Sequence, residues 1–401
     1  MFNLTTTALV DFPRELVLLH ENVTSKDLYI SLAAVFATLC LSFVQFWYKR
    51  TPTTSHDDTS TSASSREADP LENVDYANIK VTKLLIHPIK SCRGTSVLEA
   101  EYTEEGLVHD RKLAIIDAKT HRIITARELP QMVLIYPQLI VDKLDQHGGR
   151  IHISFPDESG FEQFSIPLSP TDEVLRTWKR LDNIELFTWS GIDGYVCQSI
   201  DAGDRDAPTR VLSKYLGKDV YLVLKGPRVR PCPPTYDFPA LKASASYQDA
   251  YPLLVVSEES LVAVQTRLRG EVGNQGVADR WGTDNLVMER FRPNIVLAGA
   301  GVPWAEDTWE TIRIGENTST ITLVSKCTRC LLPNVDPETG VRDQAIPYKV
   351  LMKFRTGKDP ARLSKPCFGC NGVPTGPGAV KGIVRIGDAL TVVKTIIQRQ
   401  K

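Results

Sequence analysis

The chain has 401 residues, more than the ~100 to 200 of one typical domain, so two packed subdomains or one domain with added segments are expected. Hydrophobic residues make up 42% and charged residues 24%, which excludes a globally disordered chain. The 47 Lys and Arg balance the 48 Asp and Glu to a formal net charge of −1, so no nucleic-acid partner is expected. Eight cysteines in so long a chain do not suggest a disulfide framework, and we predict a reducing compartment.

An apolar segment near the N terminus predicts a membrane anchor. Residues 28–48 carry no charged side chain, and their 21 positions match the ~20 that a helix needs to cross ~30 Å of hydrocarbon. Lys49 and Arg50 follow directly, so the positive-inside rule places the rest of the chain in the cytosol. We therefore predict a short N-terminal tail over 1–27 and a single transmembrane signal anchor over 28–48.

A polar tether is predicted between the anchor and the folded part. Ser and Thr occupy ten of the fifteen positions of 51–65, which contain no large apolar side chain. Such a segment cannot offset its ordering entropy by burial, so we predict a flexible tether over 49–75. Folded sequence is expected from near Ile79, where IKVTKLLIHPIK has the character of a strand.

The rest of the chain reads mostly as short strands with few helices. Up to about residue 190 the strand signals include LAIID, IITAR, VLIYPQLIVD, RIHISF, QFSIPL and ELFTWS. A helix is predicted from Ala207 to Leu216, with Pro208 in its first turn and Gly217 after its end. Strand DVYLVL follows, then PLLVV and a helix that Ser257 can cap. Further strands are predicted in RPNIVLAG, WETIRIG and STITLVSK, a helix in IPYKVLMKFR, and a closing hairpin in GIVRIGDALTVV. This pattern favours an α+β, β-rich fold that contains a β-barrel.

Two CxxC pairs are the first candidate for chemistry. Cys327 and Cys330 form one pair and Cys367 and Cys370 the other. A CxxC is compatible with a redox disulfide, with half of a zinc site, or with one thiolate ligand for another metal. The 36 residues between the pairs exceed the ~15 to 20 that are common in four-cysteine zinc sites, so spacing alone leaves zinc and an inert structural role open.

Basic and polar residues dispersed over the chain are the second candidate. They lie in the segments 87–91, 110–111, 125–127 and 290–294. Guanidinium groups match phosphate oxygens bidentately, so such residues are what a buried phosphate requires. Each segment alone is a weak signal, because a single Arg beside a strand is more often a surface residue.

Six motifs in order decide the family by resemblance: IHPIKSCRG, HDRKLAII, TARELPQMVLI, FRPNIVLAG, WAEDTWETIRIGE and CTRCLLPNVDPETG. From about residue 79 onwards the chain resembles the MOSC-domain molybdenum proteins, specifically the mitochondrial amidoxime reducing components. The resemblance implies a MOSC N-terminal β-barrel region, placed at 76–205, packed with a β-barrel MOSC domain, placed at 206–401.

The resemblance also implies the residues of a molybdenum-molybdopterin site. Cys330 matches the molybdenum ligand, which is chemically coherent because a thiolate is a strong donor to that metal. The matching cofactor contacts are Lys90, Ser91, Arg111, Asp249, Arg292, Asn294, Thr328 and Arg329. Ala250 and Tyr251 depart from the hydroxyl-bearing small residues expected there, and the Cys367/Cys370 pair is not expected in the family. Asp336 is a candidate catalytic acid or a residue that orders the loop. The alternative is a purely structural role, in which its side chain forms an Asx turn before Pro337.

The implied activity is reduction of N-hydroxylated compounds, namely amidoximes, hydroxamic acids and hydroxylamines. The implied electron donors are cytochrome b5 and its NADH-dependent reductase, and the implied place is the outer mitochondrial membrane with the catalytic part in the cytosol. Hydropathy leaves the endoplasmic reticulum membrane as an alternative. Two other functions remain open: a cofactor sulfur-carrier or sulfurtransferase module, and a non-enzymatic membrane-tethered adaptor stabilised by zinc.

Overall fold

A computed structural model describes residues 73–201, 203–376 and 380–396. The predicted tail, the predicted anchor over 28–48 and nearly all of the predicted tether lie outside the described residues. Across the described ranges, no helix is both long enough and apolar enough to cross a membrane.

The described ranges form β-strands joined by short helices, which confirms the β-rich α+β class. The strands are β1 Lys80–Ile86, β2 Thr95–Val97, β3 Glu99–Thr103, β4 Gly106–Leu107, β5 Leu113–Asp117, β6 Tyr136–Val141, β7 Gly149–Ser154, β8 Phe164–Pro167, β9 Arg180–Leu186, β10 Trp189–Val196, β11 Val220–Lys225, β12 Leu253–Ser257, β13 Ile295–Ala298, β14 Trp309–Ile314, β15 Thr320–Thr328, β16 Cys367–Thr375, β17 Lys381–Arg385 and β18 Leu390–Thr395. The α-helices are α1 Asp172–Thr177, α2 Ala207–Leu216, α3 Glu258–Arg269 and α4 Tyr348–Phe354.

An eight-stranded mixed sheet organises the C-terminal half of the described chain. Its strand order is β18-β14-β15-β16-β12-β13-β1-β2, so the first two strands of the folded part lie at one edge of this sheet. Strand β1 pairs antiparallel with β13, and β12 pairs parallel with β13. Thus the sheet joins residues from the beginning and the end of the folded sequence.

Strand β12 explains why this sheet is covered on both faces. All five of its residues are buried, and successive side chains of a strand point to opposite faces. Leu253 and Val255 pack into one apolar cluster with β1 and β14, whereas Leu254 and Val256 pack into another with α3 and α4. A continuous apolar run without alternation is the pattern of a strand buried on both sides.

Three smaller sheets contain most strands of the N-terminal half together with β17 from near the end of the described chain. Their strand orders are β5-β11-β10-β9, β6-β7-β8 and β17-β3-β4. One apolar cluster joins β5, β7, β8, β11 and helix α2. The helix has the predicted bounds, with Pro208 in its first turn and Gly217 in the left-handed conformation (φ 64°) after its end. Helix α3 also begins as predicted, since the Ser257 hydroxyl accepts a hydrogen bond from the backbone N–H of Ser260.

The predicted closing hairpin is wrong. Strands β17 and β18 flank the Gly387-Asp388 turn, but β17 pairs with β3 and β18 pairs with β14 in a different sheet. The turn instead lies against β1, because the backbone N–H of Gly387 donates to the carbonyl of Val81 and the N–H of Val81 donates to that of Asp388. A Gly-Asp turn signal marks the change of direction and leaves the choice of partner strands to tertiary packing.

Candidate functional site

The segment that carries Cys330 leaves the large sheet at the end of β15. Thr328 is the last residue of the strand, and it pairs with Cys367 of β16. The backbone N–H of Arg329 donates to the carbonyl of Pro366 (N to O distance 2.7 Å), which holds this segment, 328–330, beside the residues that precede β16. Cys330 follows where the pairing ends, so its side chain lies at the rim of the sheet.

The two cysteines of this pair differ in their surroundings. Cys327 accepts a hydrogen bond from Nη1 of Arg329 (3.0 Å to Sγ), and burial raises the pKa of its thiol although Arg329 opposes this. Cys330 is half-buried, and its Sγ lies 3.5 Å from the backbone N–H of Leu332, which donates to it. Both sulfurs are half-buried and each accepts one hydrogen bond, so the choice of Cys330 as the metal ligand rests on the resemblance of the CTRC motif.

The second cysteine pair is structural in its contacts. Cys367 and Cys370 are fully buried in β16, and burial raises the pKa of both thiols, that of Cys367 to about 12. Cys370 donates to the carbonyl of Glu306 (3.3 Å). Among the described residues, which include all four cysteines, no three His, Cys, Asp or Glu side chains gather to hold a metal ion. The geometry gives no support to a zinc site built on the two pairs.

Lys90 and Asp249 are the first members of a cluster of charged residues. Lys90 is 4% exposed, and its ammonium group donates to the carboxylate of Asp249 and to the carbonyl of Tyr247 (2.8 Å). The side chain of Asp249 is 71% exposed, so this ion pair joins a buried cation to the protein surface. The surrounding protein opposes its ionisation, but Lys90, Arg127 and Arg111 hold the pKa of Asp249 well below its usual range.

Arg111, Asp110 and Asn294 form the centre of the cluster. Nη1 of Arg111 donates to both carboxylate oxygens of Asp110 (2.8 and 2.7 Å) and to Oδ1 of Asn294 (3.2 Å). Asn294 also accepts from the backbone N–H of Leu254 and donates to the carbonyl of Leu85, so its amide is occupied by protein partners. Asn294 therefore joins β1 to β12 and orients Arg111.

Arg292 supplies the unbalanced charge of the cluster. Its carbonyl accepts from Nη2 of Arg111 (2.9 Å), but its own Nη2 is buried and has no hydrogen-bond partner among the described residues. Burial and the charge of Arg111 lower the pKa of the Arg292 guanidinium to about 9. A buried donor without a partner costs free energy, so this group points to a missing acceptor.

The cluster has more positive than negative charge. The carboxylates whose charges act on it belong to Asp110, Asp249 and Glu105, and the cations are Lys90, Arg111, Arg127, Arg230 and Arg292. Several guanidinium groups gathered in one region are suited to a phosphate. Together with the Cys330 thiol, this donor set fits a cofactor that carries both a phosphate and a metal that binds sulfur.

The ligand segment and the cluster are connected. Nη2 of Arg329 donates to the carbonyl of Phe291 (2.7 Å), the residue next to Arg292, and the charge of Asp249 acts on Cys327. Thr328 accepts from Nη1 of Arg362 (3.3 Å). The structure thus brings the cofactor residues predicted from the N-terminal and C-terminal motifs into one region.

Three of the predicted contact residues have strained backbones. Ser91, Arg111 and Arg292 have φ values of 68°, 47° and 57°, in the left-handed region that residues with a Cβ rarely adopt. Such conformations cost free energy and are concentrated at functional sites, where the surrounding structure imposes them. Here each residue either carries a cluster cation or follows one directly.

Asp336 lies in a turn after Cys330. Its Oδ1 accepts from the backbone N–H groups of Glu338 and Thr339, and its Oδ2 accepts from Arg290 (2.5 Å). These are the contacts of an Asx turn anchored by an ion pair. A proton-donor role would require them to break, and the catalytic role of Asp336 stays a prediction.

Sequence reasoning missed Arg230 and the aromatic residues that cover the cluster. Arg230 is 2% exposed and lies over the ring of Trp189 (5.0 Å to the ring centroid). Phe187 forms the turn between β9 and β10, with Arg127 and Lys90 over its ring at 4.6 and 5.2 Å. The segment ELFTWS reads as one strand, so the turn within it could not be inferred from periodicity. The unexpected Tyr251 donates its hydroxyl to the carbonyl of Pro233 (3.2 Å).

The family is decided by comparison with known proteins. Residues 78–219 match the model of the MOSC N-terminal beta barrel domain, and residues 242–391 match that of the MOSC domain. Mitochondrial amidoxime-reducing component 1 of Mus musculus is 32% identical over 321 residues, which cover 77% of this chain and 80% of the relative. The chain belongs to the family of MOSC-domain mitochondrial amidoxime reducing components.

Other relatives in the same family support this assignment. Mitochondrial amidoxime reducing component 2 of Macaca fascicularis is 31% identical and covers 69% of this chain and 72% of its own. Mitochondrial amidoxime-reducing component 1 of Homo sapiens is 30% identical, with 75% and 80% covered. The matched ranges include Lys90, Arg111, Arg292 and Cys330, so the site lies within the MOSC part of the chain.

Phe187 provides a test of the strained turn over the cluster. Its φ is 54°, so Phe187→Gly relieves the left-handed strain whereas Phe187→Ala retains it. We expect the Gly variant to exceed the Ala variant by about 1 kcal/mol in free energy of unfolding, measured in urea. The control is the same pair of variants at the exposed Val393 of β18. There Val393→Ala should be more stable than Val393→Gly, because glycine is unfavourable in a strand. Equal free energies of unfolding for the two Phe187 variants would contradict the backbone strain inferred at this position.

Proposed function

We propose that the protein is a membrane-anchored, molybdenum-cofactor-dependent reductase of N-hydroxylated compounds such as amidoximes, hydroxamic acids and hydroxylamines. The observation that carries this proposal is the half-buried Cys330 thiol, connected through Arg329 to a cationic cluster in which a buried guanidinium nitrogen of Arg292 has no partner in the described part of the chain. The names of the relatives support the same reaction class.

The residues present fit a molybdopterin cofactor. Cys330 would bind the metal as a thiolate, and Lys90, Arg111 and Arg292 would bind the phosphate and pterin. When bound, the cofactor supplies a two-electron reductant for an N–O bond. Its phosphate would accept from Arg292 and reduce the excess positive charge of the cluster.

The protein also positions these groups before the cofactor binds. Arg329 ties the ligand segment to Phe291, and Asp110 with Asn294 fixes the guanidinium of Arg111. Asp249 keeps Lys90 paired at the rim of the cluster. Fixed donors of this kind lose little side-chain entropy on binding, so they increase affinity for the cofactor.

The proposal includes the electron donors and the location. Cytochrome b5, reduced by its NADH-dependent reductase, would deliver the electrons, and residues 28–48 would anchor the chain in the outer mitochondrial membrane with the site in the cytosol. The relatives' names include the word mitochondrial, which supports that organelle. Imaging of the full chain against markers for mitochondria and endoplasmic reticulum distinguishes the two membranes.

Metal and pterin content test the proposed function. The full chain, purified from a host that makes molybdopterin, should contain about one molybdenum and one pterin per chain, following from one ligand thiolate and one cluster. Elemental analysis and pterin fluorescence measure this, and reduction of benzamidoxime by the cytochrome b5 system measures the activity. Zinc without pterin would contradict the proposal, and a persulfide on Cys330 in the absence of pterin would favour the sulfur-carrier alternative.

A further inference from the structure

A basic loop, defined as residues 355–366 between α4 and β16, runs beside the ligand segment. Arg362 donates to the Thr328 hydroxyl (3.3 Å), and Pro366 accepts from the backbone N–H of Arg329 (2.7 Å). Thus two contacts place this loop against the residues that lead into Cys330. The loop therefore contacts the two residues that directly precede the proposed metal ligand.

The exposed charges of the basic loop all have the same sign. Lys358, Arg362 and Lys365 are exposed. The only carboxylate of this segment, Asp359, is buried, and its Oδ1 accepts from the backbone N–H of Ala361. The loop therefore presents three cations to solvent, whereas its one carboxylate is buried and accepts a hydrogen bond within the loop.

Exposed apolar side chains lie among these cations. Leu363 of the loop is 61% exposed, and Leu331, next to Cys330, is 47% exposed. Exposed apolar residues together with cations of one segment are compatible with a transient interface, in which charge orients the partner and a small apolar area is buried.

We propose that the basic loop and Leu331 form the docking surface for a one-electron donor protein with an acidic face. The inference rests on the proposed function, because a reductase must receive electrons near its metal. Each docking oxidises one ferrous haem to ferric and delivers one electron. Two dockings and two protons convert one N–OH group to N–H and one water. Low-area, charge-steered contacts are typical of such encounters.

The test measures binding of the soluble domain of cytochrome b5 to the full chain in detergent, at low and at physiological ionic strength. The variant is Lys358→Glu/Lys365→Glu, which leaves Arg362 and its contact with Thr328 unchanged. The control is Lys119→Glu/Lys143→Glu, an equal change of charge at two exposed turns after β5 and β6. Benzamidoxime reduction with dithionite, which needs no protein donor, is measured in parallel.

We expect the Kd for cytochrome b5 to rise about tenfold in the loop variant at low ionic strength and less than twofold in the control. Salt should weaken the wild-type complex and reduce the difference. A wild-type chain that does not bind cytochrome b5, or a loop variant that binds like the control, would overturn the docking surface. Failure of the proposed function would give a different result. In that case the wild type would not reduce benzamidoxime with dithionite.

Discussion

Replacing Cys330 with Ala is expected to leave a folded protein without bound molybdenum and to lower benzamidoxime reduction by at least about a hundredfold, because even loss of an outer-shell partner of a metal costs ~10 to 100-fold. The half-buried sulfur accepts one long hydrogen bond from Leu332, so the free energy of unfolding should change by about 1 kcal/mol or less. Metal analysis, the reductase assay and urea unfolding measure the three effects.

Cys327→Ala is the matched control for this prediction. The residue is three positions earlier, has the same chemistry, and interacts with Arg329 through its sulfur. We expect molybdenum to be retained in this variant and activity to fall much less. An active Cys330→Ala protein, or loss of the metal only in Cys327→Ala, would transfer the ligand role away from Cys330.

Replacing Asp110 is expected to give the largest loss of stability. Asp110 is fully buried, and its carboxylate accepts from Arg111 and from the backbone N–H of His87 (2.8 Å). Asp110→Ala removes the only carboxylate that Arg111 contacts among the described residues and leaves its guanidinium with two neutral acceptors, in a cluster that already has excess positive charge. Breaking a buried ion pair on one side costs about 3–5 kcal/mol, and urea unfolding measures the loss. Asp182→Ala is the control, because the exposed pairs of Asp182 should contribute about 1 kcal/mol or less.

The same carboxylate predicts a pH dependence. Burial opposes ionisation of Asp110, but Arg111 and His87 lower its pKa below the usual value. Because the folded-state pKa is below that of the unfolded chain, this contribution to stability is fully present above the unfolded value of about 3.9. It is lost as the pH falls towards the folded value. The stability difference between the wild type and Asp110→Asn should therefore decrease below about pH 4, and an unchanged difference would contradict the ion pair.

The site residues that could be predicted from the sequence are those that lie in the family motifs. Lys90, Arg111, Arg292 and Cys330 lie in ordered motifs of one family, and the structure places them in one connected region. The role of Asn294 differs in detail, since its amide is occupied by Leu85, Leu254 and Arg111. The sequence therefore predicted which residues belong to the site, whereas the hydrogen-bond partner of each polar group depended on tertiary packing.

Other features depended on contacts between distant parts of the chain. Arg230 lies in a loop without a strand or helix signal, and only the fold brings it over Trp189 and close to Lys90. The sequence GIVRIGDALTVV carries a correct turn signal, yet its two strands join different sheets. Local patterns predict turns and strands, but they do not specify the neighbours of each strand.

The place of β1 and β2 has a consequence for fragments of the protein. The two matched ranges, 78–219 and 242–391, are separate in the sequence, but β1 and β2 complete the sheet that the second range builds. A fragment beginning at residue 242 would leave the backbone of β13 unpaired along the side that β1 covers. Open sheet edges recruit strands from other chains, so such a fragment should self-associate. Genetic separation of the two halves would therefore yield aggregates instead of two independent modules.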